Sequence, residues 1–167
     1  MTIRPHVHDE TALRKVFAHY PSGVAALAVH LDGAEHVLVA SSFSVGISLA
    51  PPLVAFAVQR SSTTWPVLRR AKRLGVSILA AGQGDLCRQL AGKDKARRWQ
   101  NVEIEHAPSG AVFIGGAALA FECSVHAEYP AGDHEMILLH VETLRDPAGP
   151  DPLVFHGSQF RTLEVVL

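Results

Sequence analysis

Asp32-Gly33 lies between two apolar runs, 24–31 and 36–40. An Asp-Gly pair readily takes the positive φ angles of a two-residue turn, so the two runs are expected as neighbouring antiparallel strands. Similar punctuation recurs later. Gly115-Gly116 separates 112–114 from a longer apolar stretch, 118–129, and Ala131-Gly132-Asp133 leads into 134–144. Turns this short leave no room for the helical crossover that parallel strands need. Further strands are expected at 53–58, opened by Pro51-Pro52, at 74–79, and at 153–156 as a closing strand. Seven or more strands with three short helices predict a mainly β chain, an antiparallel barrel with peripheral helices rather than a doubly wound sheet.

The helices are read from periodicity and caps. Leu13, Val16, Phe17 and Tyr20 fall at i, i+3, i+4 and i+7, a single apolar stripe that Asp9 or Thr11 caps and Pro21, Ser22 and Gly23 stop. A short helix is expected over 63–70, with Trp65, Leu68 and Val67 inward and Pro66 in the first turn, where its missing N–H costs nothing. A third follows over 85–90 or 85–91. Segments 41–50 and 92–109 read as irregular, 147–152 as a loop and 1–8 as a frayed lead. No composition shift marks a boundary, so 1–167 is expected as one domain.

Composition enters as a set of exclusions. Fifteen Lys and Arg against 16 Asp and Glu leave a net charge of −1, which offers no cation excess for a nucleic-acid backbone. An apolar content of 48% argues against disorder. The apolar runs break well short of the roughly 18 residues of a membrane span, and the opening MTIRPHVHDE has no secretory h-region. Cys87 and Cys123 are far apart with no CxxC spacing, and both read as buried free thiols. The expected compartment is the cytoplasm.

The familiar chemical motifs fail on spacing. Gly82-Gln83-Gly84 after a strand suggests a dinucleotide turn, but Cys87 stands where the third glycine belongs, so a tight turn is the better account. His6 and His8 sit in the lead. In Asp133-His134-Glu135 neighbouring strand residues point to opposite faces, so no metal site is expected. Gly157-Ser158-Gln159-Phe160 lacks the second glycine of a nucleophile elbow. The basic runs Arg69, Arg70, Lys72, Arg73 and Lys93, Lys95, Arg97, Arg98 are read first as solvated faces.

Three segments carry hydroxyls and glycine that a plain core does not need. They are Val39-Ala40-Ser41-Ser42-Phe43-Ser44, Gln59-Arg60-Ser61-Ser62-Thr63-Thr64 and Pro130-Ala131-Gly132-Asp133-His134. The second joins a strand end to a helix start, which suits a phosphate as well as it suits a helix cap. The third is a hairpin turn that offers His134 at a barrel rim.

The order of these pieces resembles the flavin reductase-like proteins of the FMN-binding split-barrel superfamily, reductase components of two-component flavin monooxygenases. The likeness spans about 20–165. It runs through Tyr20-Pro21-Ser22-Gly23-Val24, VASSFSVGISLAPPLVAFAV, SSTTWPVL, LGVSIL, GAALAFECSV, AGDHEMILLHV and PLVFHGSQFRTL. The resemblance implies an antiparallel, Greek-key split barrel that binds FMN, or FAD, and takes NAD(P)H as co-substrate. It implies that Ala40, Ser41, Ser42, Phe43 and Ser44 lie along the flavin, and that Gln59, Ser61, Ser62 and Thr63 hold its phosphate and ribityl chain. Lys93, Arg97 and Arg98 are the implied cations at the phosphate end. His134, in the Gly132-Asp133-His134 triplet, is the implied catalytic-site residue near the nicotinamide, and His156 and Phe160 approach the ring. A homodimer and a separate monooxygenase partner are implied too. The chain departs from the common pattern at Val39, Ala50 and Trp99, where relatives often carry Thr, Asp and Phe. Two other readings fit the same residues: a flavin-binding protein without turnover, and a related split-barrel oxidoreductase with another cofactor.

Overall fold

The computed structural model describes residues 9–145 and 149–164. The expected frayed lead and part of the 147–152 loop lie outside the described residues. In chain order the elements are α1 (Glu10–Phe17), β1 (Ser22–Gly23), β2 (Ala25–Leu31), β3 (Ala34–Ala40), β4 (Ser44–Leu49), β5 (Pro52–Gln59), α2 (Trp65–Leu68), β6 (Leu74–Ile78), α3 (Gly84–Leu90), β7 (Ile104–His106), β8 (Val112–Ile114), β9 (Leu119–Ala131), β10 (His134–Leu144), β11 (Val154–His156) and β12 (Gln159–Arg161).

Seven strands form one antiparallel sheet in the order β3-β2-β6-β9-β10-β5-β4, with β7-β8 and β1-β11-β12 as small accessory sheets. Asp32 (φ 54°) and Gly33 (φ 78°) make the tight β2–β3 turn that the Asp-Gly pair predicts. The sheet curls until β3 and β5 face one another, yet among the described residues no ladder joins them. That unpaired seam is the split of the barrel.

The sequence of β2 explains the layering. Ala25, Leu27 and Val29 point into the barrel, where they meet Val54, Phe56, Trp65, Leu68, Leu74, Val76, Ile137 and Leu139. Ala26 and Ala28 point outward into a second core with Leu79, Cys87, Leu90, Val112, Ile114 and Leu153. Both faces are covered, so the strand reads as a continuous apolar run rather than an alternation. Small residues sit where elements cross closely: a Cβ on Gly75 would lie 2.1 Å from the Val112 carbonyl oxygen.

Four strands were not visible as such in the sequence, beginning with β1, which lies in the segment expected only to stop α1 and pairs with β11. The segment expected to be irregular at 41–50 contains β4, an exposed edge strand interrupted by Gly46 (φ 72°). Likewise 92–109 contains β7, and the 157–161 stretch turns through Gly157 (φ 60°) and Ser158 (φ 59°) into β12. The α1 helix is capped by Asp9, whose Oδ1 accepts from the N–H groups of Thr11 and Ala12 at 2.9 and 3.2 Å. Its stripe stays uncovered: Val16, Phe17 and Tyr20 are 65%, 68% and 80% exposed. Gly82 and Gly84 flank Gln83, whose amide closes the turn by accepting from Ala80 N (2.9 Å) and donating to Gly115 O (2.7 Å). No described helix is long and apolar enough to cross a membrane.

Candidate functional site

A cleft of about 530 Å³ opens along the β3–β5 seam, within the range of small-molecule sites. One wall is 37–40 of β3, the other 57–59 of β5 with the hydroxyl segment beyond it; Arg98 and the end of α3 lie along it, and His134 completes the lining. Of the candidate site residues named from sequence, Ala40, Ser41, Ser42, Gln59, Ser61, Ser62, Arg98 and His134 are brought together here.

The two hydroxyl segments do different work. Ser42 Oγ donates to Ala57 O and accepts from Ala57 N, both at 3.0 Å. Counting the β4–β5 register back from Ser44↔Ala55 places 42 opposite 57, so this side chain fills a ladder position that the backbone has left. Ser62 Oγ accepts from Trp65 N at 3.1 Å and Thr64 N at 3.3 Å, which ties down the turn entering α2, whose N-cap position is Thr64. Ser61 and Thr64 line the cleft; Thr63 is exposed outside its lining.

Among the cations of 93–98, the one in the lining is Arg98. Its Nε donates to Gly92 O at 2.8 Å and its Nη1 to Val37 O at 2.9 Å, a forked anchorage that a planar guanidinium can make and an ammonium cannot. Lys93 and Arg97 stand outside the lining, and Arg97 pairs with Asp94 at 3.4 Å. The other basic run is largely occupied with acids. Arg69 meets Glu128, Arg70 meets Asp32 at 2.9 Å, and Arg73 meets Glu142 at 3.2 Å.

His134 begins β10 and is paired on both sides, with Gln59 of β5 and Ala131 of β9. Its Nδ1 lies 2.7 Å from Asp133 Oδ1. The hydrogen bond to His134, together with the charge it can carry, holds the Asp133 carboxyl below its ordinary range.

A second hollow on the far side of 41–44 shares Ser41 and Ser42 with the first. It adds Phe43, Ser44, Phe17, Tyr20, Phe155 and Ser158. His156 and Phe160 lie outside both linings. The His156 ring meets His19 edge-on at 6.3 Å, and Phe160 packs against Phe155 under the Arg88 guanidinium.

Sequence reasoning missed the apolar walls of the cleft, Val37, Leu38, Ala57, Val58 and Leu90. Their composition is that of a core, and only the unpaired seam makes them a lining. Arg98 was distinguishable from Lys93 and Arg97 by nothing local; its selection depends on carbonyls 6 and 61 residues away.

The chemistry of the lining suits a phosphorylated, ring-bearing ligand: hydroxyls and an anchored guanidinium for an anion, apolar walls for a ring, and an imidazole at the rim. Comparisons with known proteins agree. The family model described as a flavin reductase like domain matches residues 17–164. The chain is 33% identical to the actinorhodin polyketide dimerase of Streptomyces coelicolor, over 93% of this chain and 87% of that protein. It is 32% identical to the reductase component of the 4-hydroxyphenylacetate 3-monooxygenase of Thermus thermophilus, over 91% and 95%. Among solved structures, the NADH:FAD oxidoreductase of Streptomyces globisporus C-1027, in complex with NAD and FAD fragments, superposes with a TM-score of 0.85 at 33% identity, covering 93% of each chain.

Proposed function

The chain belongs to the flavin reductase-like family, and on that premise we propose that it is an NAD(P)H-dependent flavin reductase that delivers reduced flavin to a separate monooxygenase. Bound FMN or FAD supplies a ring that accepts the hydride of NAD(P)H, so no covalent catalyst is required of the protein. The chain's own residues bind, orient and exclude. Arg98, fixed by two carbonyls, and the hydroxyls of Ser61 and Thr64 suit the phosphate end. Val37, Val39, Ala57 and Val58 give the ring a dry wall. His134, held by Asp133, is the positioning residue at the rim for the nicotinamide.

The observation that carries this reading is the seam cleft, in which an anchored cation, hydroxyls and a rim histidine line one opening in a chain of this family. Its test is anaerobic. Purified protein mixed with FMN or FAD bleaches the flavin band on addition of NADH or NADPH, at a rate far above that of free flavin. A flavin spectrum without bleaching by either nucleotide would reduce the protein to a binding module and overturn the reading.

The same reading takes 1–167 as one domain, working in the cytoplasm as a homodimer. What supports the dimer is the uncovered apolar surface: the α1 stripe, and Val45, Ile47 and Leu49 on the edge strand β4. Light scattering on the eluted peak tests it, and a monomer mass would overturn it.

A further inference from the structure

The β2–β3 hairpin sets His30 directly opposite Glu35, on a shared face where facing Cβ atoms lie about 5 Å apart. A third residue, His106 of β7, reaches the same place from elsewhere in the chain. It is positioned by two contacts near the hairpin: His30 N donates to Gly110 O at 2.8 Å, and Val29 bridges Ala111. Trp99 Nε1 donates to Glu35 O at 3.0 Å and fixes the backbone of the carboxylate residue.

The result is convergent. Glu35 Oε1 is 2.9 Å from His30 Nδ1 and 3.1 Å from His106 Nε2. The two rings stand 5.6 Å apart at 83°, so they approach one oxygen from different sides. The three donor atoms all lie within 4.8 Å of one another. A tetrahedral ion with bonds of about 2.0–2.1 Å needs donors roughly 3.3 Å apart, near the 2.9 and 3.1 Å that separate the imidazole nitrogens from Glu35 Oε1. None of the three residues lines the seam cleft.

We propose that His30, Glu35 and His106 form a site for a divalent transition-metal ion of the zinc type, with solvent as fourth ligand. Two imidazole nitrogens and one carboxylate oxygen favour such an ion over Mg²⁺ or Ca²⁺, which prefer all-oxygen shells. All three side chains are solvent-accessible, so the ion enters without opening the fold. Its effect is to clip β7 to the β2–β3 hairpin, closing a long stretch of chain, and so to stabilise the folded state by mass action. The site is independent of the flavin reading.

The test uses tag-free protein carrying His6→Ala and His8→Ala, titrated with ZnCl2 by calorimetry and by thermal melting. One zinc binds per chain, and about hundredfold excess over Kd raises the melting temperature by about 5 °C or more. MgCl2 gives no shift. His30→Ala, His106→Ala and Glu35→Gln each weaken zinc binding by more than about tenfold. His106→Gln serves if the metal-free melt shows that His106→Ala is misfolded. Absence of a saturable zinc site, or unchanged zinc affinity in folded His30 and His106 variants, overturns the proposal. In that case Glu35 does no more than accept hydrogen bonds from two imidazoles.

Discussion

Asp133 Oδ1 and His134 Nδ1 lie 2.7 Å apart at the first residues of the β9–β10 return. The carboxylate therefore commits Nδ1 to itself and leaves Nε2 as the ring nitrogen available to a ligand. His134→Ala is expected to lower kcat/KM for the nicotinamide about tenfold, the worth of one well-placed hydrogen bond. The flavin dissociation constant should stay nearly unchanged. Asp133→Ala should give a smaller loss of the same kind. Stopped-flow reduction alongside a flavin titration measures both, and unchanged reduction in His134→Ala would remove His134 from the site.

Arg98→Lys keeps the charge but loses the fork that spans Gly92 O and Val37 O. Flavin affinity should fall about tenfold. Lys93→Ala and Arg97→Ala, outside the lining, should leave it within about twofold. Fluorescence titration with FMN distinguishes the three.

Ser62→Ala removes the oxygen that accepts from Thr64 N and Trp65 N. The expected loss of stability is about 1 kcal/mol, read as a lower urea midpoint at constant slope. Ser61→Ala touches no such bond and should stay within about 0.5 kcal/mol.

Gly75→Ala would place a methyl 2.1 Å from Val112 O, backbone against backbone. Neither strand can yield without parting β6 from β8, so the loss should reach about 3 kcal/mol or more. Urea unfolding of the purified variant, or its failure to accumulate in soluble form, checks this.

Burial, assisted by Glu142 and Glu122, raises the Cys123 thiol from its ordinary value near 9 to about 12; burial also raises Cys87. A raised folded-state value means that this stability is intact below about pH 9 and is lost as the pH climbs toward 12. Cys123→Ala should flatten that alkaline decline. At pH 8 neither thiol of the native protein should react quickly with an aqueous disulfide reagent, and both should react in urea.

How much was legible follows from where the information lies. The β2–β3 and β9–β10 hairpins were readable because Asp32-Gly33 and Gly132-Asp133 encode their turns locally. The α2 helix was readable because Pro66 and the inward pair Trp65 and Leu68 do the same. Strand β4 was not, since Val45, Ile47 and Leu49 are exposed and alternate with serine and glycine around a bulge. The hydroxyl segments were visible as unusual composition. That Ser42 serves a ladder and Ser62 the turn entering α2 depends on partners that sequence spacing cannot name. Arg98 was inseparable from its neighbours for the same reason.

The Ser42–Ala57 pair has a further consequence, for association rather than binding. Opening a sheet to admit a ligand ordinarily exposes an edge whose free amide and carbonyl invite another chain to add a strand. At Ala57 both groups are already taken by one hydroxyl. The protein can hold its barrel open at the mouth of the cleft without presenting a template for aggregation there. Ser42→Ala should therefore show itself first as turbidity on storage at high concentration.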